Sequence, residues 1–130
     1  MRARIGSLLL IATLSGCATA PSGPPPEIKP VATCSSKPQC DAMWTEALVQ
    51  VQNLSGMRLQ LATENFAQTY RAVGPGRMSA NIKKVPMANG RTAFEAEFVC
   101  GSCGYLPYSA VNLFTTNLNL VGSRFEQAAN

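Results

Sequence analysis

The chain has 130 residues, enough for one modest domain, with 11 Lys and Arg, 7 Asp and Glu, and no His. Without histidine, Ser-His-Asp and Cys-His catalytic arrangements are excluded. Arg2 and Arg4 belong to an N-terminal leader, and removing them lowers the net charge from +4 to +2, which is 9 minus 7. The remaining basic residues are scattered apart from Lys83-Lys84, which we expect on a solvated strand face. No nucleic-acid partner is therefore predicted.

Residues 1–16 have the pattern of an export signal. The basic start is followed by I-G-S-L-L-L-I-A-T-L at residues 5–14, an apolar run too short for an ordinary transmembrane helix. Small residues come next, as at a processing site, and Leu14 to Cys17 read L-S-G-C.

The L-S-G-C sequence resembles the lipobox of bacterial lipoproteins, in which the cysteine is lipidated and becomes the first mature residue. The resemblance implies lipidation at Cys17, and Ala18 in place of Asp implies transfer to the outer membrane. We expect the protein at the periplasmic face of the outer membrane, which it contacts through the lipid anchor. The alternative is an ordinary cleaved signal with an incidental cysteine.

Residues 17–33 follow as the lipidated cysteine and a proline-rich stretch. Five prolines, few apolar side chains and no periodicity in residues 18–33 predict a semi-extended tether that holds the domain off the membrane. The folded domain is expected over residues 34–125. Residues 126–130 are expected to be a frayed tail, with fraying beginning near residue 123.

The first predicted element is a helix. It begins at a capping-box sequence, S-K-P-Q at residues 36–39, and ends at Gly56. Trp44 lies beside its apolar stripe, so we expect this ring in the core and not as a ligand platform. The stripe itself consists of Met43, Ala47, Val51 and Leu54, with Leu48 also beside it.

Four strands are predicted next, at residues 57–63, 66–73, 77–87 and 91–100. Alternation of apolar and polar residues predicts which side chains face the core. These are Met57, Leu59 and Leu61, then Met78, Ala80 and Ile82, then Phe94, Ala96, Phe98 and Cys100.

The sequence N-G at residues 89–90 predicts a two-residue hairpin turn between the last two strands. That turn pairs Val85 with Phe94, both facing the core, but sets Ile82 opposite a glutamate. One extra residue near Lys83-Lys84 would restore the phase, so a β-bulge is predicted there.

Glu95 and Glu97 lie two residues apart on one strand face, a spacing that would suit a carboxylate pair. They are predicted to point outward beside the lysines, so we favour a solvated face. No catalytic residue and no cofactor are predicted.

The last element, from Pro107 to a stop at Gly122, is predicted as a helix with the stripe Val111, Phe114, Leu118 and Val121. Residues 115–117 weaken helix propensity, so a strand is the alternative. The predicted fold class is α+β, a four-stranded antiparallel sheet with two helices on one face, in the order α-β-β-β-β-α.

Four cysteines remain after Cys17, and an even number in an exported domain predicts disulfides. In a simple meander, Cys34 and Cys40 lie at the opposite end of the sheet from Cys100. Strands of this length span about 30 Å, whereas a disulfide tolerates a Cα separation of only about 4.4–6.8 Å. The local pairs, Cys34–Cys40 and Cys100–Cys103, are therefore predicted.

The Cys-x-x-Cys at residues 100–103 sits between a strand and a helix, as in a thioredoxin-type redox site. No Trp directly precedes Cys100, no His lowers a thiol pKa, and little chain remains for further strands. A structural bridge is therefore favoured. The spacings C-x₅-C and C-x₂-C are not those of two close zinc knuckles, so no metal site is predicted.

The Q-C-D-A-M-W-T-E-A stretch at residues 39–47 and the late cysteine pair resemble small lipoproteins of Gram-negative bacteria, a resemblance that implies no activity. The expected role is a binding or structural accessory with an envelope protein as partner, and not an enzyme. One alternative is a thiol-disulfide oxidoreductase using Cys100 and Cys103. The other is a lipoprotein subunit of an envelope secretion or conjugation assembly.

Overall fold

The computed structural model describes residues 22–128, which form a five-stranded antiparallel sheet and two helices. The spatial strand order is β1-β5-β4-β3-β2. In chain order the elements are β1 Ala32–Cys34, α1 Lys37–Ser55, β2 Leu59–Ala62, β3 Phe66–Thr69, β4 Ser79–Pro86, β5 Thr92–Val99 and α2 Leu106–Ala128. The predicted α+β class is confirmed, and the predicted Cys17 lies outside the described residues.

The prediction of four strands is wrong because a fifth strand, β1, begins inside the predicted tether and ends at Cys34. Ala32 and Cys34 are fully buried, and Ala32 pairs with Phe94 of β5. This short strand covers what would otherwise be an open edge of β5. The other four strands form the predicted meander.

Local sequence signals place α1 as predicted. The Ser36 hydroxyl accepts a hydrogen bond from the Gln39 backbone N–H at 3.4 Å, which caps the first turn. The helix ends at Gly56, whose φ of 72° is left-handed and favours glycine. The predicted stripe faces the sheet, with Met43, Ala47 and Val51 fully buried.

The predicted bulge near Lys83-Lys84 is wrong. The register of β4 and β5 is continuous, with Val85 opposite Ala93 and Lys84 opposite Phe94. Val85 therefore does not share the core face with Phe94. The extra residue lies in the turn, where Met87 N–H donates to the Arg91 carbonyl at 2.8 Å and leaves a three-residue loop.

A register shift does occur in the edge strand β2, between Leu59 and Leu61. Leu59 packs against the core, but Leu61 is 46% exposed, which contradicts its predicted inward position. The bulge places the residues that follow it on the opposite face of the sheet. Alternation of apolar and polar residues in the sequence does not show such a change.

The final segment is a helix, as predicted, and not the alternative strand, but it does not stop at Gly122. α2 continues to Ala128, through the start of the predicted tail. Gly122 is buried where the two helices meet, and its carbonyl accepts a hydrogen bond from Gln39 Nε2 at 3.1 Å. A Cβ atom there would lie 2.9 Å from Met43 Sδ, so the glycine permits the close approach of α1 and α2.

The described part of the proline-rich segment lies along α2. Asn112 accepts a hydrogen bond from Lys29 N–H at 2.8 Å and donates one to the Glu27 carbonyl at 2.9 Å. The Tyr105 hydroxyl donates to the Gly23 carbonyl. Over this stretch the segment is part of the folded domain and does not act as a free spacer.

The sheet gives the domain two ends. The Cys34 end contains the start of α1 and the turns at residues 63–65 and 87–91. The Cys100 end contains the end of α1, the loop at residues 70–78 and the start of α2. Because Gly23 contacts Tyr105, the described chain enters the domain at the Cys100 end.

Candidate functional site

Both predicted disulfides are present, one at each end of the sheet. The Cα atoms of Cys34 and Cys40 are 5.2 Å apart, and those of Cys100 and Cys103 are 5.7 Å apart. The first bridge ties buried β1 to the first turn of α1. The second crosslinks the corner between β5 and α2.

A cleft of about 690 Å³ opens at the Cys34 end beside the first disulfide. Its wall combines the first turns of α1, the turn between β2 and β3, and the end of β4. The residues that give the cleft its character are Lys37, Asp41, Trp44, Glu64 and Lys84, together with the edge of Cys40.

Trp44 is one of the residues that line this cleft. Its ring is 8% exposed and stacks on Phe94, with 6.4 Å between ring centroids. Lys84 Nζ lies 5.0 Å from the centroid of the Trp44 ring, within range of a cation–π contact. Trp44 is therefore a core residue, as predicted, with one edge that reaches the cleft.

Lys83 and Lys84 are separated by the pleat of β4. Lys83 lies on the outer face and forms an ion pair with Glu95 at 2.9 Å, which is the predicted outward pairing. Lys84 points to the helix side of the sheet, over Trp44. The prediction of a common solvated face is thus correct for Lys83 and wrong for Lys84.

Two positive and two negative side chains share the cleft. Asp41 hydrogen-bonds the Lys37 ammonium, and this contact, with the carboxylate charge, raises the pKa of Lys37. The pair is largely exposed, so it contributes little to stability. Glu64 and Lys84 also line the cleft, and the charge of Glu64 contributes to the raised pKa of Lys37. The charges of these four side chains sum to zero.

Two arginines line a cavity beside the second disulfide, whose neighbours in the sequence carry no positive charge. A cavity of about 450 Å³ is lined by Cys100, Cys103, Arg71 and Arg77. The arginines come from the loop between β3 and β4, some thirty residues earlier in the chain. Sequence reasoning missed them because only the long-range sheet pairing brings this loop to the cysteines.

Glu95 and Glu97 point outward, as predicted. Glu95 pairs with Lys83, and Glu97 accepts a hydrogen bond from Asn81 Nδ2 at 2.8 Å. Each carboxylate therefore has its own partner on the open face of the sheet. Among residues 22–128, no three His, Cys, Asp or Glu side chains cluster as metal ligands would.

The helices of the described region include none with the length and apolar character needed to cross a membrane. The chain matches no protein-family model, no curated protein sequence and no solved structure.

Proposed function

We propose that this protein is a lipoprotein of the outer membrane, held at the periplasmic face by lipid on Cys17, and that it serves as a non-catalytic accessory. The observation that carries the proposal is the L-S-G-C sequence directly after a basic start and an apolar run. The two disulfides support it, because such bonds persist in exported proteins.

The accessory role is assigned to the cleft at the Cys34 end. The described chain, which leads back toward Cys17, enters at the opposite end beside Tyr105. An anchored domain would therefore direct the cleft away from its point of attachment. The mixed charges of the cleft and the edge of Trp44 suit a segment of another envelope protein, including a subunit of a secretion or conjugation assembly.

Lipidation predicts that cells fed a palmitate analogue label the wild-type protein and leave Cys17→Ser unlabelled. The matched control is the double variant Cys34→Ser with Cys40→Ser, which removes other cysteines but retains Cys17. This control is expected to keep its label. Equal labelling of Cys17→Ser and the wild type would place the lipid elsewhere and refute the assignment.

Partner binding at the cleft predicts a position-specific crosslink in living cells. A photoreactive residue in place of exposed Glu64 is expected to give one protein adduct of discrete size, because this position lines the cleft. The same residue in place of exposed Gln60, outside the cleft, is the control and is expected to give none. The adduct should weaken with Lys37→Glu. Identical adducts at both positions, or none at position 64, would argue against the cleft.

One observation favours a second candidate function, thiol-disulfide exchange at Cys100 and Cys103. Arg71 and Arg77 line the same cavity as the disulfide, and nearby positive charge lowers the pKa of a cysteine thiol. Neither cysteine, however, lies in the first turn of α2, which begins at Leu106, and the chain has no His to lower a thiol pKa. We therefore favour the structural role, and the reduction potential of the pair distinguishes the two.

A further inference from the structure

Three arginines give the Cys100 end an unbalanced positive charge. Arg58, Arg71 and Arg77 are exposed, and none of them forms an ion pair with another residue of the described chain. Residues 47–63, 65–94 and 98–125 contain no Asp or Glu. The nearest acidic side chain along β5 is Glu97, which is hydrogen-bonded to Asn81 on the outer face.

Apolar and aromatic side chains lie exposed around these arginines. Val73, at the tip of the loop between β3 and β4, is 74% exposed. Tyr105 and Tyr108 form an edge-to-face pair at the start of α2, with 6.0 Å between ring centroids. Tyr105 is partly exposed, and Tyr108, Tyr70, Val99 and Leu106 are exposed. Tyrosine is enriched at membrane–water interfaces, and arginine is attracted to anionic lipid headgroups.

The path of the chain brings this end close to the anchor. Gly23 is held by the Tyr105 hydroxyl, and the segment that follows is bonded to α2 through Asn112. Only five residues lie between Cys17 and Gly23, so fully extended chain spans at most about 20 Å between them. A lipid on Cys17 would therefore keep the Cys100 end near the membrane surface.

We propose that the Cys100 end is a membrane-facing surface, on which Arg58, Arg71 and Arg77 contact the headgroups of anionic phospholipids. This inference rests on the proposed lipidation of Cys17. Each arginine near an anionic surface favours the docked orientation by a factor of about five. The contact holds the domain in one orientation, with the cleft of the Cys34 end turned away from the membrane.

The orientation is tested with tryptophan reporters in vesicles. Protein purified from membranes is reconstituted with phosphatidylglycerol and phosphatidylcholine whose acyl chains carry bromine, which quenches nearby tryptophan. Val73→Trp places the reporter at the Cys100 end, and Met87→Trp is the matched variant at the Cys34 end. Buried Trp44 contributes equally to both. Val73→Trp is expected to lose most of its added fluorescence and Met87→Trp to lose none.

Charge reversal tests the role of the arginines. Arg71→Glu with Arg77→Glu in the Val73→Trp protein is expected to shift the orientation at least about 25-fold from the docked state, and quenching falls accordingly. Vesicles of phosphatidylcholine alone should have the same effect. The matched control, Lys37→Glu with Arg124→Glu, changes the net charge equally away from this end and should leave quenching intact. Circular dichroism verifies that each variant is folded.

The intact mass of the same sample separates failure of this inference from failure of the proposed function. If Cys17 is unmodified, the proposed function fails. A maleimide phospholipid coupled to Cys17, whose four fellow cysteines are paired in disulfides, then restores an anchor at the same position. With either anchor, equal quenching at positions 73 and 87, or quenching insensitive to charge reversal, overturns the membrane-facing assignment.

Discussion

Phe94→Ala is expected to lower the free energy of unfolding by about 3–5 kcal/mol, the usual cost of removing a fully buried aromatic ring. Phe94 is 2% exposed and stacks on Trp44. It lies on β5, between Ala32 of β1 and Lys84 of β4. Losing the ring leaves a cavity beneath α1 that three neighbouring elements cannot fill without moving. Guanidinium unfolding with the disulfides intact, followed by Trp44 fluorescence, measures the change.

Val99→Ala is the matched control on the same strand. Val99 lies on the outer face and is 54% exposed, so its truncation is expected to change stability by less than about 0.5 kcal/mol. The observed register of β4 and β5 would be wrong if the two substitutions had equal effects.

The Cys100–Cys103 disulfide is expected to have a reduction potential below about −300 mV, the range of structural disulfides. Both cysteines pack against the core, and the bridge restrains a corner that contains Gly101 and Gly104. In the chain-entropy model, closing so short a loop stabilises the fold by roughly 2 kcal/mol. Equilibration with glutathione or dithiothreitol redox buffers, with thiol alkylation and mass analysis, measures the potential.

A value between thioredoxin, at about −270 mV, and the strong periplasmic oxidants, at about −120 mV, would instead favour thiol-disulfide exchange. Arg71→Gln with Arg77→Gln then separates the roles. Arginines that stabilise a reactive thiolate would make the potential more negative when removed. For a structural bridge, the double substitution is expected to leave the potential unchanged and insulin reduction absent.

The elements that sequence predicted well carry their signals locally. The capping box at residues 36–39, Gly56 and the apolar stripe of α1 act within a few turns of one helix. β1 has no such signal, because three residues are too few to show alternation. Its pairing partner, Phe94, is some sixty residues away. A strand of this kind is stabilised by tertiary contacts that local pattern does not contain.

Two predictions, the bulge in β4 and the helix stop at Gly122, are wrong although the glycine on which each depends has a structural role. The N-G sequence does form the hairpin turn, with Gly90 at a φ of 77°, but in a three-residue loop, so the predicted compensating bulge was unnecessary. The sequence predicts Gly122 as a helix stop, but α2 continues through it. Gly122 is needed because it has no Cβ, which lets α2 lie close to Met43 of α1. That need arises from how the two helices pack and has no signal in the local sequence.

The features of the candidate sites also differ in whether the sequence indicates them. The cysteine pairing followed from chain reach along a meander, which the sequence indicated. The cleft at the Cys34 end and the arginines around Cys100 are built from separate elements. Glu64 and Lys84 come to line one cleft, and Arg71 and Cys103 come to line one cavity, only after the sheet has formed. No sequence spacing indicates such meetings.

Lipidation of Cys17 is tested most directly by the intact mass of protein extracted from the membrane fraction. The predicted result is a chain that begins at Cys17 and carries the added mass of acyl chains, with both disulfides formed. A chain with an unmodified Cys17, or one cut after residue 17, would contradict the anchor and with it the proposed placement of the domain at the membrane.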